Sequence, residues 1–277
     1  MIQSAQSHDV LLADICKTDR NNGFRLWWLG QSGFLLQWRG LHVLLDPYLS
    51  DSLTRKYSQT DKPHVRMTEL VIDPEKLSFV DIATSSHNHT DHLDAETLIP
   101  ILSHNSALKF VIAEANRAFV ADRLKIDQAM PIGLDDGATI ELMGIRFTGI
   151  ASAHDTVERD EQGRAKFLGY VLQFGDWSIY HSGDTLRYDG MAEKLRPFGV
   201  DVALLPINGR APERRVAGNL WGREAAKLAH DIGAKLVIPC HYDMFEFNTA
   251  SPEEFVDACR RLRQPYKILQ CGERFDG

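Results

Sequence analysis

Cysteine is scarce in this chain, with four in 277 residues. Cys16, Cys240, Cys259 and Cys271 show no close spacing. That argues against a disulfide framework and predicts reduced thiols in a cytoplasmic protein. Long apolar runs are also missing. None approaches the roughly 20 residues of a membrane span. The first ten residues are polar (Gln3, Ser4, Gln6, Ser7, His8, Asp9), so no secretory leader is expected. Positive charge is in deficit: 31 Lys and Arg against 38 Asp and Glu leave a net −7. Phosphate grooves need local positive charge, so nucleic acid is not an expected partner, although a small basic pocket is compatible with the total. No linker, low-complexity tract or short-period repeat divides the chain, and residues 1–277 read as one domain. The apolar share of 44% is enough for a full core. The partner implied is a small-molecule substrate, with no membrane. Assembly as a homo-oligomer is compatible with the same composition.

Against these absences stands one dense stretch, Ser86 to Asp94, which places His87, His89, Asp91 and His92 within six positions. Residues two apart in extended chain point the same way, so His87 and His89 can grip one cation from one side. Asp91 and His92 follow where the chain turns and can face a second cation. Imidazole and carboxylate together suit zinc, manganese or iron. The plain alternative is a polar loop rich in histidine, yet three of the chain's 11 histidines fall here. The apolar run before it (Phe79, Val80, Ile82, Ala83) reads as a buried strand that delivers the loop to one end of a sheet.

The remaining pattern is mixed α/β. A short helix is expected over 9–16. Strands are expected over 24–29, 34–38 and 41–45, with a tight hairpin turn at Arg39-Gly40. Residues 50–76 read as a polar, irregular excursion that either lines the site or is simply solvated. Asp94 can cap a helix with Leu98, Ile101 and Leu102 on its apolar face, kinked or shortened by Pro100. A strand at 109–113 and a helix near 115–124 follow. A hairpin around Gly144 ends at His154. A second, with its turn at Gly175-Asp176, runs into Asp184. Val200 to Leu205 is a buried strand, 222–232 a helix stopped by Gly233, and Leu236 to Pro239 a strand that releases His241. Ser251-Pro252-Glu253-Glu254 predicts a capping box for a last helix.

The pattern His-x-His-x-Asp-His after an apolar strand resembles the signature of the metallo-β-lactamase superfamily. In that family a lone His, an Asp and a last His follow at later strand ends, and His154, Asp184 and His241 match in order. The resemblance runs from Trp28 to Gly272. It implies a four-layer αββα sandwich holding two divalent metal ions, zinc or manganese. His87, His89 and His154 would take one ion, Asp91, His92 and His241 the other, with Asp184 between them. Asp91 is the candidate to orient the nucleophile and move its proton. Asp46 is either a turn former beside Pro47 or, by resemblance, the support of a ligating histidine. His181 reads as packed or supporting, and Cys240 as core or supporting, without touching metal.

Trp28-Leu29-Gly30-Gln31-Ser32-Gly33-Phe34, Leu45-Asp46-Pro47-Tyr48, Leu205-Pro206-Ile207-Asn208-Gly209-Arg210 and Pro239-Cys240-His241-Tyr242 together look like the L-ascorbate-6-phosphate lactonase branch. That likeness implies hydrolysis of a sugar-acid lactone bearing a phosphate. Asn208, Arg210 and Asn219 are the candidate substrate contacts, while Arg214 and Arg215 read as residues of a solvated loop that pair with surface carboxylates. A phosphodiesterase of the same superfamily, a di-iron oxidoreductase and a metal-dependent binding protein without turnover are the other classes considered.

Overall fold

A computed structural model describes residues 1–17 and 23–277. Helix α1 (His8–Ile15) opens the chain and buries Leu11 and Ile15. Strands β1 (Arg25–Gly30), β2 (Gly33–Trp38) and β3 (Leu41–Leu45) then form an antiparallel meander. Arg39 and Gly40 both take positive φ, 49° and 83°, which matches the twist of a two-residue hairpin turn. The stretch expected to be irregular instead contains a helix, α2 (Ser52–Tyr57). Six residues are too few to show helical periodicity.

Next come β4 (Ile82–Ser85), α3 (Ala95–His104), β5 (Lys109–Ala113), α4 (Arg117–Leu124) and β6 (Ile132–Leu134). Asp94 accepts from the backbone N–H of Thr97 and caps α3 as expected. The helix nevertheless runs on through Pro100, so the expected shortening does not occur.

The second half supplies β7 (Thr139–Leu142), β8 (Ile145–Ala151), β9 (Leu168–Phe174), β10 (Trp177–His181), α5 (Met191–Leu195), β11 (Val202–Pro206), α6 (Gly222–Ile232), β12 (Leu236–Cys240), α7 (Glu253–Leu262) and β13 (Arg274–Asp276). The expected capping box before α7 is absent. Pro252 occupies the N-cap position, and Ser251 Oγ accepts from Glu253 N instead.

Two mixed sheets result, ordered β13-β1-β2-β3-β4-β5-β6 and β12-β11-β10-β9-β8-β7. Their inner faces meet: Phe174 lies 5.3 Å from Trp38 and 5.8 Å from Phe24, and the Tyr170 hydroxyl donates to the Ser85 carbonyl at 2.9 Å. Helices pack outside, α6 against β11 and β12 and α7 against α6, completing an αββα sandwich. Strands covered on both faces need no polar side, which is why β2 and β11 are buried throughout. No helix among the described residues is long and apolar enough to cross a membrane.

Candidate metal centre

The ligand candidates leave strand ends on one edge of the sandwich. His87 to His92 follow β4, His154 follows β8, Asp184 follows β10 and His241 follows β12. The loop after β4 is tied to the other sheet by Leu168 N donating to the Ser86 carbonyl at 3.0 Å. Gly183 makes the tight approach possible. It sits at φ 58°, and a Cβ there would lie 2.7 Å from the Ser86 side chain.

The seven side chains form two groups with Asp184 in both. One comprises His87, His89, His154 and Asp184, the other Asp91, His92, Asp184 and His241, and in each the ligand atoms lie within 4.8 Å of one another. Asp184 Oδ1 is 3.2 Å from His92 Nε2, while Oδ2 is 3.4 Å from His154 Nε2 and 3.3 Å from His241 Nε2. His154 Nε2 and His89 Nδ1 are 3.2 Å apart.

Backbone and side-chain partners aim these rings. His154 Nδ1 donates to the Gly218 carbonyl at 2.7 Å, leaving Nε2 as the inward atom. Asp46 is fully buried and accepts from His92 Nδ1 at 2.8 Å, from Thr84 Oγ1 at 2.9 Å, from Ser86 N at 3.0 Å and from Ser86 Oγ. The carboxylate at the end of β3 therefore reaches the histidine loop. Gln31, which sequence reasoning gave no role, places its amide nitrogen 2.7 Å from Asp91 Oδ2 and 3.1 Å from His241 Nε2. Gln31, Asp46 and His241 all hold positive φ (50°, 39° and 62°). Such conformations cost a non-glycine residue energy and concentrate at functional sites. His181 is packed, with Nε2 on the Ser32 carbonyl at 2.9 Å. Cys240 is buried, and burial holds its thiol well above the usual pKa.

Electrostatics make the pocket a trap for positive charge. Burial opposes ionisation of Asp91 and Asp184, but His92 and His241 overcome it and hold both far below the ordinary carboxylate range. Burial likewise opposes a proton on His241, yet Asp184 and Asp91 push its pKa up to about 9. His92 is raised in the same way, whereas burial, with His92 and His89 beside it, holds His87 well below its usual value. His87 Nε2, His92 Nε2 and Asp184 Oδ1 are buried without a hydrogen-bond partner among the described residues. Orphaned buried polar atoms cost about 1–3 kcal/mol each. Several of them converging with carboxylates form a donor set that divalent cations fit.

A cavity of about 370 Å³ opens over the ligands. Asn219 lines it, is 1% exposed, and has no partner for either side-chain polar atom among the described residues. Asn208 stands behind the lining, donating to Asn248 Oδ1 at 3.0 Å. Arg210 departs from expectation. Its guanidinium pairs with Glu224 of α6 at 2.7 and 2.8 Å and faces a different groove. A neighbouring carboxylate captures it. The cations that do line the cavity are Lys56, Arg123 and Arg215. Arg215 pairs with the exposed Asp61 at 2.7 Å, as expected, and lines the cavity as well. Arg214 instead staples its loop, donating to the Thr249 carbonyl at 2.9 Å and to the Asn208 carbonyl. The 50–76 segment contributes Leu53, Lys56, Tyr57 and His64 to the wall.

Two facing mixed sheets, outer helices and a histidine–aspartate cluster along one edge define the class, a metallohydrolase sandwich. Sequence comparison agrees. The model of the "Beta-lactamase superfamily domain" matches residues 42–242. A UPF0173 metal-dependent hydrolase of Rubrobacter xylanophilus is 30% identical over 250 residues, covering 87% of this chain and 90% of the relative. Another from Lawsonia intracellularis is 30% identical over 253 residues, covering 87% and 93%. Among solved structures, the isothiocyanate hydrolase from Delia radicum gut bacteria superposes with a TM-score of 0.72 at 18% identity, covering 91% of this chain and 98% of that one. A metallo hydrolase from Ignicoccus hospitalis gives 0.67 at 20% identity, covering 92% and 98%. The chain belongs to the metallo-β-lactamase superfamily and is a metal-dependent hydrolase within it.

Proposed function

We propose that the chain, as one domain over residues 1–277, is a cytoplasmic hydrolase with two divalent cations, zinc or manganese, that opens the lactone of a sugar acid bearing an anionic group. The observation that carries this reading is the division of seven ligands into two groups sharing Asp184. His87, His89 and His154 would hold one ion and Asp91, His92 and His241 the other. Divalent cations so held supply Lewis-acid activation of water and of the scissile bond. The protein's own part is placement. Asp184 spans the two groups. Asp46 fixes the His92 ring by accepting a hydrogen bond from its Nδ1–H. Asp91, held by the Gln31 amide, orients the attacking water and carries its proton toward the leaving oxygen.

Asn219 is the substrate contact supported best, because its unmet hydrogen-bonding capacity faces the cavity. Anion preference rests on Lys56 and Arg123. Neither forms an ion pair at contact distance among the described residues, although the Asp94 carboxylate acts on Arg123 from farther off, and Arg123 is held by the Asn88 carbonyl at 2.7 Å. This replaces Arg210 as the anion contact.

The test is turnover of phosphorylated and unphosphorylated lactones, alongside phosphodiesters, by stripped protein given back manganese or zinc. Lactone opening that needs metal and is lost in Asp91→Asn supports the reading. Turnover of phosphodiesters alone would move the protein to the other hydrolytic class.

A further inference from the structure

The cavity continues beyond the ligands. It shares Tyr57, His64, Arg215, Val216 and Phe247 with an adjoining chamber of about 300 Å³. One wall of the junction is a satellite apolar cluster, separate from the main core, in which Tyr57 and Phe247 pack against Tyr48, Leu53, Met244 and Phe245. Phe245 and Phe247 follow the ligand candidate His241 in the same loop, so the wall and the metal centre share one piece of backbone.

His64 stands at this junction. Its ring stacks on Tyr57 at 4.2 Å and 15°, with Phe247 at 4.4 Å and Phe245 at 5.3 Å. His64 Nδ1 lies 3.1 Å from the Lys62 carbonyl oxygen. A carbonyl only accepts, so Nδ1 carries the proton and Nε2 remains an acceptor. Burial lowers the pKa of the ring, which favours the neutral form. On the ligand side of the cavity, Asn219 offers a buried amide with both polar atoms unpaired among the described residues.

These groups select among occupants. An alkyl chain would cover the ring faces but leave Asn219 and His64 Nε2 unsatisfied. A bare anion would meet the cations and make no use of the rings. A group with C–H faces and hydroxyls uses both, because rings cover the former and nitrogen or oxygen acceptors take the latter. We propose that the adjoining chamber receives the non-reacting end of the substrate. His64 is its positioning residue, accepting through Nε2 a hydrogen bond from a hydroxyl on that end. The inference rests on the hydrolase reading for what lies at the metals, but not on the reacting bond being a lactone.

Two probe pairs test it on metal-loaded protein: D-gluconate against valerate by calorimetry, and D-gluconolactone against δ-valerolactone by turnover. His64→Phe keeps the stack and removes the acceptor. It should weaken gluconate about tenfold and raise KM for gluconolactone about tenfold with kcat within about twofold. The hydroxyl-free partners should be unchanged, and His64→Gln, which retains an acceptor, should recover most of the loss. In the unaltered protein, the His64 Nε2 nitrogen resonance should shift with gluconate and not with valerate. Equal losses on both members of a pair, no loss on either, or no gluconate-dependent shift would overturn the proposal. If neither lactone is opened while the gluconate contrast holds, the lactone reading fails and the chamber stands. If lactones are opened without that contrast, the lactone reading stands and the chamber assignment fails.

Discussion

Asp184 shapes the candidate centre more than any other side chain, because its two oxygens face different histidines (3.2 Å from His92 and 3.3–3.4 Å from His241 and His154). Asp184→Ala should abolish hydrolysis and reduce bound metal from two equivalents to one or fewer, with the fold retained, since no core packing depends on a strand-end carboxylate. Elemental analysis beside an activity assay checks both, and two tight equivalents in the variant would remove the shared-ligand assignment. Asp46 acts one step back. Asp46→Asn replaces the acceptor of the His92 Nδ1 proton with an amide and frees the ring to adopt the other tautomer. Loss of such support typically weakens metal binding about 10–100-fold, so a metal titration should move by that much while the far-ultraviolet spectrum stays constant. An unmoved titration would confine Asp46 to its turn. The His87–Asp94 cluster is legible in the sequence because its donors are contiguous. His154, Asp184 and His241 stand out only through family likeness, since a lone strand-end His or Asp carries no local signal. Gln31 falls within the stretch Trp28–Phe34 that carries the likeness, but nothing local marks its role, because its partners, Asp91 and His241, are 60 and 210 positions away.

Element boundaries follow local chemistry where that chemistry is strong. Gly233 (φ 73°) stops α6, and the Arg39-Gly40 turn joins β2 to β3. Short elements such as β6, α5 and β13, held by neighbours rather than by pattern, have no such signal. Docking of α1 shows what holds one piece to the rest. Asp14 accepts from the Trp27 indole at 3.0 Å and from Arg274 at 2.7 Å, fastening the helix to β1 and β13. Burial opposes its ionisation, but Trp27, Arg274 and Gln6 outweigh that and hold its pKa below the usual carboxylate range. A pKa depressed on folding stabilises above the unfolded value, near 3.8, and that stability disappears as pH falls through the lower folded value. Asp14→Asn should therefore cost about 1.5–3 kcal/mol at pH 7, the usual worth of hydrogen bonds to a charged group. The gap from the unaltered protein should begin to narrow as pH falls below about 4 and close only once pH has passed the lower folded value, where both carry an uncharged group. Urea unfolding at the two pH values measures it, and a gap that widens in acid would contradict the linkage.

At the scale of the molecule, the centre joins the edges of two sheets that otherwise meet through apolar packing. Loop Ser86–Asp94 belongs to the first sheet, while His154, Asp184 and His241 belong to the second. A cation held by both sides ties those edges together, and the unfolded chain has no such site, so metal affinity becomes folding stability. With free metal at a hundredfold excess over Kd, one site contributes about 2.7 kcal/mol. For a chain of this size each kcal/mol moves Tm by about 2–4 °C. Removing metal with a chelator should thus lower Tm by about 5–10 °C per site emptied, and manganese or zinc should restore it. Asp184→Ala should show half of that response or less, which separates site-specific stabilisation from a general salt effect. Identical melting with and without metal would mean that the sheets keep their edges together unaided. The orphaned nitrogens of His87 and His92 would then have to be satisfied by groups of the protein closing on one another, not by cations.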